Sequence, residues 1–269
     1  MKKKFIAVGM VAALGVTAVG GTLAYFTDTD EAANTFTAGN VKIEQTEKDR
    51  NGDDFVNDQT LLPIVDDKKD ENGYHLGGNY IDKIVRVTNT GSEEAYIRTH
   101  IAIPAALDDG PTSFDAGANI LHWNAASAND DFALANSAVD NDWYFGKSVS
   151  VDWPGNGGDW NFYTATVDNV NYNVYVATHA TAVAPEATTA PNLYGIYLDA
   201  SVDYDGTDYT YNGEAIDFDL TKTQVLVISE AVQADGFDTY EDQENVAFYA
   251  LDKAFGSIGS YNPWDNAGK

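Results

Sequence analysis

Alternation of apolar and polar residues, which is typical of β-strands, recurs through the chain after residue 40. It is clearest at residues 81–88 and 96–103, two β-branched runs that are separated by the turn-forming sequence of residues 89–92. We expect these two runs to form an antiparallel pair. Further strands are predicted at residues 41–45, 160–167, 171–178, 193–204 and 224–232.

Two of these runs also predict how the sheets meet solvent. Tyr172, Val174 and Val176 share one face of their strand, as do Tyr194, Ile196 and Leu198 of another, so we expect a sheet with one wet side. Many strands, glycine-rich turns and few helices are typical of a mainly β protein. We therefore predict a jelly-roll-like antiparallel β-sandwich with one or two short helices and long acidic loops.

A helical pattern is clear near the C-terminus. Asp238 followed by Glu241 resembles an N-terminal cap, and Gly256 is placed to end the helix. The apolar residues between them fall on one helical face: Ala247, Phe248, Leu251, Ala254 and Phe255. A second helix is predicted between residues 130 and 139. Loops are expected at residues 49–58, 66–73 and 180–191.

The N-terminus has the pattern of an export signal. Three lysines at positions 2–4 precede an uncharged stretch that runs to Phe26, and Thr22 and Ala24 are small residues at the positions that signal peptidases read. We predict cleavage between Ala24 and Tyr25. An uncleaved anchor is the alternative, since about 20 apolar residues cross a bilayer, but glycines and threonines dilute this run. The domains predicted are a signal peptide over 1–24, an N-terminal strand or linker over 25–39, and a sandwich over 40–269.

The acidic composition restricts the partners. The chain has 15 basic and 42 acidic residues and a formal charge of −27, which falls to −30 when the leader's three lysines are removed. Such a surface repels nucleic acid and anionic lipid, so we predict no nucleic-acid partner and no membrane contact beyond the uncleaved leader. There is no cysteine. An exported chain without disulfides depends on its hydrophobic core or on metal ions.

Calcium is the only cofactor that the sequence suggests. Two acidic loops place oxygen-bearing side chains close together: Asp49, Asn51 and Asp53 in the first, and Asp203, Asp205 and Asp208 in the second. The first departs from the EF-hand pattern, because Gly52 comes too early and Thr60 stands where a bidentate glutamate belongs. Solvated hairpin turns are the interpretation that we favour at both.

The sequence contains no signature of catalysis. None of the four histidines, His75, His100, His122 and His179, lies in a His-Glu-x-x-His pair. There is no cysteine nucleophile and no Gly-x-Ser-x-Gly elbow. We therefore predict a non-enzyme. A zinc site assembled from distant residues is the alternative.

Four tryptophans surround a segment rich in Asn, Asp and Gly: Trp123, Trp143, Trp153 and Trp160. Exposed in loops, they would stack on sugar rings and indicate a carbohydrate-binding module of the cell envelope. We favour the other interpretation, in which they fill the core or a subunit contact.

Several segments resemble the TasA/camelysin family of Gram-positive exported proteins, which a SipW-type signal peptidase processes. They are residues 20–28 with 34–41, residues 85–92 with 95–98, and residues 229–237. Residues 104–223 show no such likeness. The resemblance implies a jelly-roll subunit of an extracellular fibre or biofilm matrix, in which the N-terminal strand of one subunit completes the sheet of the next. Its partners would be further copies of itself, the signal peptidase and an accessory matrix or anchoring protein.

Residues 25–37 would then be the donor strand, with Phe26 and Phe36 as its anchors. Its acidic and alanine residues are poor strand formers, which fits a strand that forms only against a partner and equally fits a disordered tail. Camelysin-like members also carry a metalloendopeptidase label. Since the sequence contains no recognisable ligand set, that activity is kept only as the alternative function.

Overall fold

Fourteen strands, one α-helix and three 3₁₀ turns form the regular structure of the described residues. A computed structural model describes residues 27–31, 34–35, 41–57, 59–64, 79–111, 119–123, 143–150, 158–204, 208–237 and 239–265. Within these residues the strands are β1 Thr27–Glu31, β2 Asn34–Thr35, β3 Ile43–Lys48, β4 Ile81–Asn89, β5 Ala95–Pro104, β6 Leu121–Trp123, β7 Trp143–Tyr144, β8 Phe162–Val167, β9 Val170–His179, β10 Leu193–Leu198, β11 Val202–Tyr204, β12 Tyr209–Tyr211, β13 Glu214–Ala215 and β14 Leu226–Gln233. Helix α1 is Val246–Phe255, and short 3₁₀ turns lie at Leu220–Lys222, Gln243–Asn245 and Pro263–Asp265.

These strands form two large sheets and one small one. The largest has seven strands in the order β2-β1-β14-β5-β9-β7, with β8 also paired to β9. The second has the order β3-β4-β10-β6, and the small third sheet is β11-β12-β13. All pairings between the described strands are antiparallel. The prediction of a mainly β, antiparallel sandwich is confirmed.

The predicted pairing of residues 81–88 with 96–103 is wrong. Strand β4 pairs with β3 and β10, whereas β5 pairs with β14 and β9 in the other sheet. The turn between them crosses the sandwich and is held by Asn89, whose Nδ2 donates to the carbonyls of Glu93 at 2.7 Å and Val183 at 2.8 Å. A strong turn signal does not distinguish a hairpin from a connection between two sheets.

The expectation of a wet face is also wrong. In β9, Tyr175 and Ala177 face the core between the sheets, while Val174 and Val176 pack under Trp264 on the opposite face. Every residue of β10 is buried as well. The C-terminal residues cover the outer face of β5, β9 and β14, so these strands have apolar contacts on both sides. The sequence showed alternation because Asn173, between Tyr172 and Val174, is a polar residue that is buried on the opposite face, where its Nδ2 donates to the Asp108 carbonyl at 2.6 Å.

The predicted helix is confirmed, but it begins later than the cap pattern indicated. It follows the turn Gln243–Asn245, where the Asp242 carboxylate accepts from the Asn245 N–H at 3.3 Å, and Asp238 lies outside the described residues. It ends at Gly256, whose φ of 100° is available to glycine. Residues 130–139 also lie outside the described part of the chain.

Two long predicted segments are divided differently in the structure. Residues 193–204 form β10 and β11, which belong to different sheets and are separated by a turn in which Asp199 accepts from the Ser201 N–H at 2.7 Å. Residues 180–191, expected as an exposed loop, make single bridges to β4 and β5 through Thr188 and Val183. This loop closes one side of the core.

Candidate functional site

The N-terminal strand β1 lies near one edge of the seven-stranded sheet, between the short edge strand β2 and β14. It runs antiparallel to β14, with Thr27 opposite Val232 and Glu31 opposite Ile228. It then turns into β2, where Asn34 stands opposite Glu31. The sequence Thr-Asp-Thr-Asp-Glu is a poor strand former by itself. Its strand conformation therefore follows from the backbone groups that the edge of β14 presents.

Other residues predicted for this segment lie outside the described part of the chain. They are the cleavage residues Ala24 and Tyr25 and the anchors Phe26 and Phe36. The structure describes the middle of the predicted donor segment, as β1 and β2.

A buried ionic cluster lies on the outer face of the same sheet, next to β1. The Arg98 guanidinium of β5 donates to Glu230 Oε2 of β14 at 2.8 Å and to Asp252 Oδ1 of α1 at 3.0 Å. It also donates to the Gly256 carbonyl at 3.2 Å and to the Tyr261 hydroxyl. Arg98 is 1% exposed. One side chain thus joins two strands to the C-terminal segment that covers them.

The Glu230 carboxylate receives further donors from both sides. The Tyr261 hydroxyl donates to its Oε2, and His100 Nε2 lies 3.3 Å from the same atom. Because an ionised carboxylate only accepts, His100 carries its hydrogen on Nε2. Its Nδ1 then accepts from the Tyr163 hydroxyl at 3.0 Å. Every member of the cluster is therefore oriented by its neighbours.

The pKa shifts in the cluster follow from burial and charge. Burial opposes ionisation of Glu230, but the hydrogen bond from His100 and the charge of Arg98 outweigh it and lower its pKa to about 2. Burial lowers the pKa of His100 and raises those of Tyr163 and Tyr261. At neutral pH the cluster is a charged Arg98–Glu230 pair with a neutral imidazole.

A second polar group lies on the inner face of the sheet, between the two layers. The Ser229 hydroxyl donates to Gln45 Oε1 at 2.7 Å and lies 2.8 Å from the Thr99 hydroxyl. Asn192 Nδ2 donates to the same Thr99 oxygen at 2.9 Å. Gln45 in turn donates to the Val227 carbonyl at 3.1 Å. Thus β14 is held by polar contacts on both faces beside the place where β1 pairs.

The first calcium candidate is a closed turn at the end of β3. Asp49 Oδ1 accepts from the N–H groups of Asn51 at 2.8 Å and Asp53 at 2.9 Å. Arg50 pairs with Asp82 at 2.6 Å across the base of the turn. These contacts use Asp49 oxygens that a calcium ion would need.

The second calcium candidate belongs to the β11–β12 hairpin. Asp203 Oδ1 accepts from the Tyr204 N–H at 2.8 Å, Asp208 lies before β12, and Asp205 lies outside the described residues. Across the described ranges, no three His, Cys, Asp or Glu residues come together as a metal site. Calcium binding at either loop stays a prediction.

Three of the four histidines lie in the described part of the chain, and each of them contacts a different set of residues. His100 belongs to the ionic cluster, His122 contacts Asp199 Oδ2 at 2.9 Å, and His179 Nδ1 lies 2.7 Å from the Thr181 carbonyl. His75 lies outside. His100 is completely buried in β5.

The tryptophans that suggested a sugar platform are core residues where the structure describes them. Trp123, Trp143 and Trp160 are 1%, 2% and 3% exposed, and Trp153 lies outside the described residues. Trp123 packs against the Tyr175 ring, with 4.9 Å between centroids. Buried rings cannot stack on a glycan, so these three support the interpretation as core.

Sequence reasoning missed the residues that hold β14. A signal was present, because Arg98 and Glu230 are charged residues inside β-branched runs. A charge in such a run is buried only with a partner. The partner itself is more than a hundred residues away in the chain.

The fold and this edge define an antiparallel β-sandwich whose N-terminal strand completes a sheet. Residues 1–50 match the family described as camelysin metallo-endopeptidase. The match supports the TasA/camelysin family for this chain, and it covers β1, β2 and β3. No curated protein and no solved structure matches the chain. Among the described helices none has the length and apolar character to cross a membrane.

Proposed function

We propose that this chain is an exported structural subunit of an extracellular fibre or biofilm matrix, with a jelly-roll-like domain that polymerises through its N-terminal strand. The observation that carries the proposal is the position of β1, which pairs with Ile228–Val232 of β14 and, together with β2, forms one end of the sheet. The same backbone hydrogen bonds form whether the strand comes from the same chain or from a neighbour.

Exchange of this strand would produce a filament. The donor lies at the N-terminus and the acceptor edge on β14, so each subunit offers one of each. Such a contact is head-to-tail and propagates when its rotation does not close. In this proposal a SipW-type signal peptidase cleaves before Tyr25 and frees the strand, and an accessory matrix protein anchors the fibre.

Deletion of the strand tests the proposal. Residues 25–269 are expected to form fibres under the electron microscope, whereas residues 38–269 stay monomeric, because the deletion removes β1 and β2. Thr29→Pro in the full mature chain is expected to prevent assembly as well, since proline interrupts strand pairing. Thr29→Ala is the matched control and assembles. Monomers from the intact mature chain under all conditions would contradict strand exchange.

Acid or calcium is expected to promote assembly. Subunits with a formal charge near −30 repel one another, and protonation of carboxylates or bound divalent cations reduces that repulsion. Turbidity of the mature chain should rise as pH falls from about 7 to about 5 and on addition of calcium. Magnesium and sodium chloride at equal ionic strength are the controls. A response to calcium alone indicates specific binding, whereas equal responses to all three salts indicate screening of the charge. Turbidity that responds to none of these would contradict this prediction.

The family description favours one second candidate, a metalloendopeptidase. Stoichiometric zinc in the purified mature chain, together with proteolysis that a chelator stops, would support it. Fibres that form equally well in the presence of the chelator would separate assembly from that activity.

A further inference from the structure

The described pairing between β14 and β1 ends next to Val227. From Ile228 to Val232 the strand pairs with β1, and no described residue of β1 lies opposite Val227. The Val227 carbonyl instead accepts from Gln45 Nε2 at 3.1 Å. Gln45 belongs to β3 of the other sheet, so a side chain from the opposite layer takes the position next to the end of β1.

The orientation of the Gln45 amide follows from a directed chain of hydrogen bonds. Asn192 Nδ2 donates to the Thr99 hydroxyl, so the Thr99 hydrogen is available for Ser229, and Ser229 donates to Gln45 Oε1. Gln45 is 6% exposed, and the other three are buried more deeply. With its oxygen engaged by Ser229, the amide presents its nitrogen to Val227.

The middle of β1 does not distinguish two registers that differ by two residues. Thr27-Asp28-Thr29-Asp30 repeats with a period of two residues. A slip by two residues towards Val227 would therefore keep a threonine opposite Glu230 and an aspartate opposite Ser229, and it would keep the alternation of faces. Some feature of the acceptor has to exclude the slipped pairing.

We propose that Gln45 sets the register of the N-terminal strand by ending its pairing at Ile228. A strand that slipped two residues towards Val227 would bring Glu31 opposite Leu226 and meet the Gln45 amide. Gln45 and β14 belong to the same chain, so this stop acts on a strand from the same subunit or from a neighbour. The second case rests on the proposed function.

Disulfide trapping measures the register directly, because the chain has no cysteine of its own. Val232→Cys is combined with Thr27→Cys, which reports the observed pairing, or with Tyr25→Cys, which reports the slipped one. Both pairs are oxidised in the mature chain with Gln45 intact and with Gln45→Met. With Gln45 intact, the Thr27 pair should dominate. In Gln45→Met the Tyr25 pair should rise about fivefold relative to it, the effect of losing one ordinary hydrogen bond.

Two further variants separate the stop from general stability. Gln45→Glu keeps the shape and the acceptor for Ser229 but loses the donor, and the same rise is expected. Asn119→Ala removes a buried hydrogen bond to the Asp109 N–H, outside the chain that orients Gln45, and should leave the ratio unchanged. An unchanged ratio in both Gln45 variants, or an equal rise in Asn119→Ala, would overturn the proposal.

Non-reducing gels of the oxidised variants also test polymerisation, independently of the register. Disulfides between subunits give a ladder of covalent oligomers, whereas disulfides within a chain leave a monomer. A monomer that shows the expected register ratios would refute polymerisation and still support the role of Gln45. A ladder whose register ratio is the same with and without Gln45 would support polymerisation and refute the role of Gln45.

Discussion

Replacing Arg98 with leucine is expected to lower the free energy of unfolding by about 3–5 kcal/mol, because the change leaves the buried Glu230 carboxylate without its cation. Glu230 is 2% exposed, so water does not replace the lost guanidinium. The C-terminal segment also loses its bonds through Asp252 and the Gly256 carbonyl. Denaturant unfolding of the mature chain measures the difference.

Arg86→Leu is the matched control for this variant. Arg86 is half-buried and donates to the Thr189 carbonyl at 3.1 Å, so its loss should lower stability by about 1 kcal/mol. The double variant Arg98→Leu with Glu230→Leu is expected to recover part of the loss, because it removes the unpaired charge as well. Equal effects of Arg98→Leu and Arg86→Leu would show that the cluster is not a stabilising contact.

The pH dependence of the Arg98 variant has a definite sign. The pKa of Glu230 is lowered from 4.5 to about 2 in the fold, so its contribution is complete above 4.5 and is lost as pH falls towards 2. Without Arg98 this pKa rises, and the acid-unfolding midpoint should move to higher pH. The stability difference between parent and variant should therefore shrink in the same interval. A difference that stays constant from pH 5 to pH 2 would argue against an electrostatic origin.

Trp123→Ala is the second large effect that we expect, a loss of about 3–5 kcal/mol from removal of a buried aromatic ring. The ring lies in the centre of the core, in contact with Phe145 as well as Tyr175. Surrounding strands cannot collapse fully into the space, so a cavity adds to the loss of apolar burial. Thermal or denaturant unfolding provides the measurement.

Tyr204→Ala serves as the control for Trp123. Tyr204 is 53% exposed on β11, and its loss should change stability by less than about 1 kcal/mol. Glycan-array retention is measured for both variants. If Trp123→Ala left stability unchanged and abolished retention on the arrays, the carbohydrate-binding alternative would have to replace the interpretation of this residue as core.

Much of the secondary structure was predictable from local pattern. Period-two alternation located β4, β5, β9 and β14 to within about two residues, because side-chain direction along a strand depends on neighbouring positions alone. The end of α1 at Gly256 was also predictable from local pattern, because a glycine after an apolar helical face commonly ends a helix. The start of α1 was not, because Asp242 caps a 3₁₀ turn that precedes the α-helix, and this turn places the start of α1 well after the cap pattern at Asp238.

The candidate site was predictable only in part. The resemblance drew attention to residues 25–37, whose middle forms β1 and β2. No local signal identified the strand that β1 would join, because the sum of backbone hydrogen bonds is similar at any free sheet edge. Arg98 and Glu230 were visible as charges in apolar runs, but their partners come from the C-terminal segment. Gln45 had no signal at all in its own neighbourhood.

The sequence by itself determined the mainly β class, the export signal predicted for the leader, the acidic surface and the positions of most strands. These depend on composition and on contacts between residues close in the chain. Only the tertiary structure decided that β4 and β5 belong to different sheets, that both faces of β5, β9 and β14 are covered, and that β14 is the strand with which β1 pairs. Those outcomes depend on which distant surfaces fit together, and a strand's own alternation contains no information about its partner.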